Sequence, residues 1–66
     1  MKFKAGDYIV WGCENDKYYE KILEINKEEE FYKYLDIRTG SIRKWELYWI
    51  DNHARLMTQE EKIELL

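Results

Sequence analysis

Proline is absent from the sequence, cysteine and histidine occur once each, and glycine occurs only three times. Each scarcity removes a class of protein. A single cysteine, Cys13, permits no intrachain disulfide, so the chain is not a small secreted scaffold held by covalent staples and suits a reducing cytosol. Together with the lone His53 it falls short of the four nitrogen or sulfur ligands of a structural zinc site. Gly6, Gly12 and Gly40 stand far apart, so there is no glycine-rich loop to cradle a phosphate. No apolar run approaches the ~18 residues of a membrane span, and Lys2, Lys4 and Asp7 interrupt the segment where a signal peptide would need continuous apolar residues. A cytoplasmic location is expected.

Charge of either sign is also in short excess. The formal net charge is -3, from 14 acidic and 11 basic residues. A general nucleic-acid binder carries a basic surplus that displaces counterions from phosphates, and a DNA mimic would be far more acidic. The balance favours a protein or small-molecule partner. Nucleophilic catalysis would need Cys13 beside a base, and the only imidazole lies far along the chain with no motif linking the two. They read as an unreactive loop thiol and a surface histidine. Glu28, Glu29 and Glu30 lack the Gly and Asp spacing of a calcium loop and read as a solvated turn. No enzyme activity, metal or cofactor is expected.

Aromatic residues are what the chain has in quantity: three Trp, six Tyr and two Phe. A domain of this length buries only about 60% of its unfolded surface. Large aromatic side chains are therefore the expected means of holding residues 1–66 together as a single domain.

Tyr8 to Trp11 reads as a first strand and residues 12–17 as a polar loop. In Tyr18 to Ile25 the residues Tyr18, Ile22 and Ile25 lie at helical spacing, while Tyr19, Leu23 and Ile25 approximate alternation. The β-branched and aromatic content favours a strand. Asn26 to Glu30 is a charged turn. Phe31 to Ile37 alternates, with Phe31, Leu35 and Ile37 beside Lys33 on one face and Tyr32, Tyr34 and Asp36 on the other. A tight turn at Gly40 leads to a return strand over Ile42 to Ile50, with Trp45, Leu47 and Trp49 inward and Lys44, Glu46 and Tyr48 outward. Residues 51–53 form a turn, and Ala54 to Met57 a short edge strand. Thr58 and Glu61 have the spacing of a capping box, so 58–66 is expected to be a helical turn docked by Ile63, Leu65 and Leu66. These elements predict a mostly β fold: a small antiparallel barrel of about five strands with a short C-terminal helix.

In such a barrel the outward tyrosines have no room inside. Tyr18, Tyr32, Tyr34 and Tyr48, with Asp36, Arg38 and Arg43, are the candidate partner-binding residues, because tyrosine gives contact area at low entropic cost. The same tyrosines also suit cross-strand pairing. An alternative uses Arg38, Arg43 and Lys44 beside Tyr32 and Tyr34 to hold nucleic acid, although Asp36 and Glu46 mix the field there. A third reading is a structural subunit whose aromatic face joins copies of the chain as a homo-oligomer.

Phe3-x-x-Gly6-Asp7, the Gly40 hairpin, and Ile50-Asp51 followed by Arg55-Leu56-x-Thr58-x-Glu60-Glu61 resemble small SH3-like or Tudor-like barrel proteins of bacteriophages and mobile elements. The resemblance implies an SH3-like barrel and a non-enzymatic binding module in a bacterial cytoplasm. A protein of this kind can act on a host or anti-phage defence protein, as an anti-CRISPR-type inhibitor does. Tudor-type readers of methylated side chains need an aromatic cage, and no spacing here sets four aromatics around one point, so that activity is not carried over.

Overall fold

The computed structural model describes residues 1–66. Its elements are β1 (Tyr8–Cys13), β2 (Asp16–Asn26), β3 (Phe31–Asp36), β4 (Ile42–Glu46), α1 (Leu47–His53), β5 (Arg55–Leu56) and α2 (Gln59–Leu65). The strands form one antiparallel sheet in the order β4-β3-β2-β1-β5. Its end strands, β4 and β5, do not pair with each other, so the sheet is open. The expected barrel, and with it the SH3-like or Tudor-like assignment, is therefore corrected. Closure would need two long edge strands, but β4 stops at Glu46 and β5 has two residues.

The shortening of β4 has a local cause. Beyond Glu46, Leu47, Ile50 and Ala54 fall at helical spacing, and all three are buried. Glu46 caps the new helix, its Oε1 accepting from the Tyr48 backbone N–H at 3.0 Å. What alternation marked as the second half of a strand, and then a turn at residues 51–53, is α1. Leu47 alone of the expected inward set Trp45, Leu47 and Trp49 is fully buried; Trp45 is 54% exposed.

β2 is a strand throughout, and its mixed periodicity has a structural source. Ile22 pairs with Tyr34 and Glu24 with Lys33, leaving Leu23 as an extra residue in a β-bulge. The bulge reverses the parity of the strand, so Ile22 and Ile25, three apart, both reach the core. The loop expected at residues 12–17 is only a turn at Glu14 and Asn15, since Cys13 pairs with Asp16. Gly12 enters it at φ +108°, where a Cβ would stand 2.3 Å from the Asp16 carbonyl oxygen.

β3 faces the opposite way to the expectation. Tyr32 and Tyr34 are buried, packed with Phe3, Ile9, Ile22, Leu47, Ile50 and Ala54. Phe31 and Leu35 are only half-buried. The Tyr32 hydroxyl donates to Asp51 Oδ1 at 2.6 Å and accepts from the Phe3 N–H at 3.1 Å. A tyrosine with both hydroxyl roles filled by α1 and the N-terminal segment can lie in the core at no polar cost.

The capping box at Thr58 and Glu61 is present in both directions. α2 buries none of its residues, however; Ile63 and Leu66 are exposed and Leu65 is half-buried. Polar contacts attach it instead: Arg55 donates to both Glu61 carboxylate oxygens at 2.8 and 3.0 Å, and Lys62 stands over the Tyr8 ring. No helix is long and apolar enough to cross a membrane.

Candidate functional site

Strand pairing places Trp11 and Tyr18, Glu20 and Asp36, and Tyr34 and Arg43 opposite one another on neighbouring strands. Parity then puts these residues and Trp45 on the sheet face that also carries Ile9, Ile22 and Tyr32. α1 and Phe3 cover only part of that face. The uncovered end is a cleft of about 330 Å³, lined by Trp11, Tyr18, Glu20, Tyr34, Asp36, Thr39, Arg43 and Trp45.

One side of the cleft is a continuous aromatic array. Tyr18 stacks on Trp11 with ring centroids 4.3 Å apart, and Trp11 meets Trp49 edge-on at 5.0 Å. Trp49 in turn meets Trp45 edge-on at 6.2 Å and stacks on His53 at 4.2 Å. The His53 Nδ1 lies 2.7 Å from the Trp49 carbonyl oxygen, one helical turn back, which holds the imidazole on the indole. The imidazole thereby extends the aromatic array beyond Trp49.

Glu20 lies in the middle of the cleft wall and is the one buried charged residue of the protein, 2% exposed. Its Oε2 accepts from the Trp11 indole N–H at 2.9 Å. Its Oε1 is fully buried and has no hydrogen-bond partner. Burial is the main reason that the carboxyl group is pushed up to about 7; the Trp11 bond opposes the shift, and the charge of Asp36 adds to it. Tyr34 is also raised, mainly by burial and then by the Glu20 charge, with Arg43 opposing. Arg43 forms no ion pair with either carboxylate.

The candidate residues are divided by the fold. Tyr18, Tyr34, Asp36 and Arg43 meet in the cleft. Tyr32 is a core residue, and buried Tyr34 reaches the cleft only at its wall, so neither is the outward tyrosine expected. Asp36 anchors the hairpin, its Oδ1 accepting from the Arg38 and Thr39 N–H groups. Arg38 donates to the Lys17 carbonyl at 2.9 Å. Tyr48 is exposed, but in a separate cleft with Met1, Lys27, Glu30 and Leu47. The proposed basic cluster is also split: Lys44 stands over Phe31 on the opposite face from Arg43.

Trp11, Glu20 and Trp45 were missed as site residues. The signal for Glu20 lay in the alternation of β2, where it shares a parity with Tyr18 and Ile22. A carboxylate in step with core residues is the unusual member of such a strand. No group of three His, Cys, Asp or Glu side chains is close enough to hold a metal ion. Compared with models of known protein families, with curated proteins and with solved structures, the chain matches none.

Proposed function

We propose that the protein is a non-enzymatic binding module that engages a protein partner through the uncovered end of its sheet. The observation that carries this reading is the aromatic array of Tyr18, Trp11, Trp49 and Trp45, which ends at an exposed tryptophan beside an open edge strand. Tryptophan and tyrosine around a partly desolvated cleft form the kind of surface on which binding energy concentrates. An unpaired β4 edge offers backbone donors and acceptors to an incoming strand. The inhibitor role expected from the barrel resemblance has no residue of its own in this cleft and is not part of the proposal.

The test is capture with tagged protein from lysate, with and without nuclease, alongside a Trp45→Ala variant. A discrete protein retained after nuclease and lost with the variant supports a protein-binding cleft. Capture that depends on nucleic acid favours stacking of bases on Trp11, Tyr18 and Trp45 instead. Self-association in sedimentation that Trp45→Ala abolishes makes the face a homo-oligomer contact.

A further inference from the structure

We propose that the cleft receives one lysine side chain of the protein partner, with Glu20 Oε1 accepting a hydrogen bond from its ammonium group and Tyr18, Trp11 and Trp45 forming the aromatic wall beside it. This deepens the binding reading and rests on it for the source of the lysine.

Three observations specify the occupant. The buried Glu20 Oε1 has no partner, whereas Oε2 is held by Trp11, so one acceptor of a fixed carboxylate is left unsatisfied beneath the cleft surface, and an ammonium reaches it when the side chains over it part. An unsatisfied buried oxygen is costly and is a place where a donor, from water or from a ligand, is accommodated. Aromatic walls favour a cation by their negative π faces. The carboxylates of Glu20 and Asp36 against the single guanidinium of Arg43 give the lining a cation-attracting balance.

The hydrogen-bonding pattern narrows the cation further. A quaternary ammonium has no N–H for Oε1. A guanidinium is recognised best by two oxygens side by side, and here only one is free. Asp36 offers only Oδ2, since its Oδ1 already serves the hairpin backbone, and that oxygen belongs to a separate carboxylate rather than to the paired oxygens that a guanidinium fork matches. A primary ammonium on an apolar stem satisfies the geometry with one hydrogen bond.

Binding is coupled to a proton. Glu20 is flanked by Trp11 from β1, by Asp36 and Tyr34 from β3 and by Arg43 from β4, and without a ligand its carboxyl group is half protonated near pH 7. The incoming ammonium takes the place of that proton, which leaves to solvent while the lysine keeps its own charge. Affinity therefore rises with pH, by about tenfold between pH 6 and 8, and levels off above that.

The experiment is an NMR titration of the wild-type chain with blocked, glycine-flanked peptides whose central residue is lysine, norleucine or arginine. It follows the Trp11 indole N–H signal, identified by Trp11→Phe. The lysine peptide is expected to move this signal, with norleucine inert and arginine weaker. Glu20→Gln, which retains an acceptor for Trp11, is expected to weaken lysine binding at least fivefold and to abolish its pH dependence. Trp45→Ala, at an exposed position, is expected to weaken binding while leaving the spectrum dispersed. Equal shifts with norleucine, or unchanged binding in Glu20→Gln, would overturn the lysine site and leave Glu20 as a hydrated structural acid. Tighter binding of the arginine peptide would overturn the choice of lysine. The peptides require no captured partner, so loss of the lysine site with intact, Trp45-dependent capture refutes this inference alone.

Discussion

Replacing Tyr32 and Tyr34 together by alanine should unfold the protein, because both rings belong to the core. A chain of 66 residues has a stability of roughly 3–10 kcal/mol. Removing one buried aromatic side chain costs about 3–5 kcal/mol. Two such losses in one contiguous cluster consume most or all of that margin. The milder Tyr32→Phe isolates the hydroxyl, which joins Asp51 on α1 to the Phe3 backbone. Loss of a partly buried hydrogen bond to a carboxylate costs roughly 2 kcal/mol, or about 10 °C in melting temperature for a domain of this size. The Tyr32 phenol is raised above its ordinary 10.0, chiefly by burial and then by Asp51. Its contribution is therefore complete below pH 10 and lost as pH climbs through the folded value. Urea unfolding followed by tryptophan fluorescence, repeated from pH 7 upward, measures both effects. A cooperative transition in the double alanine variant, or Tyr32→Phe within about 0.5 kcal/mol of wild type, would refute this account of the core.

Two further outcomes follow from the other shifted groups. Glu20 is raised from 4.5 to about 7, so its contribution to stability is full below pH 4.5 and is lost between 4.5 and 7. Glu20→Gln should flatten that decline and be the more stable form at pH 8, by up to roughly 3 kcal/mol; parallel pH curves for variant and wild type would contradict it. Glu61 is lowered to about 2, first by Arg55 and then by the Thr58 N–H, so its contribution is present above pH 4.5 and lost as pH falls toward 2. The ion pair is largely solvent-exposed, so Glu61→Gln should cost about 1 kcal/mol or less. It should raise amide exchange in α2 selectively, whereas uniform exchange across the sheet would show that α2 does not open on its own.

Much of the secondary structure was legible because it depends on neighbours in sequence. Thr58 and Glu61 cap α2 through bonds that span three residues. Gly40 turns the β3–β4 hairpin at positive φ, and its N–H bonds back to the Asp36 carbonyl. Alternation in β3 was also visible, but alternation has no sign: it separates Tyr32 and Tyr34 from Phe31 and Leu35 without saying which pair is inside. Hydropathy favoured Phe and Leu, and the decision went the other way because Asp51 and Phe3, distant in sequence, satisfy the Tyr32 hydroxyl.

The candidate site was legible only in part for the same reason. Tyr18 and Arg43 reach the cleft as expected candidates, whereas Trp11, Glu20 and Trp45 enter through strand register and through the helix that interrupts the return strand. The residues 47–54 satisfy both a period of two and a period of 3.6, and burial of Leu47, Ile50 and Ala54 on the sheet selects the helix. By itself the sequence determined the β-rich character, the tight turn at Gly40 and the capped C-terminal helix, all through local bonding. Tertiary structure alone decided which face is the core, that the sheet stays open, and that a carboxylate is buried with one oxygen unpaired. Those outcomes depend on contacts between segments far apart in the chain, whose partners no local pattern identifies.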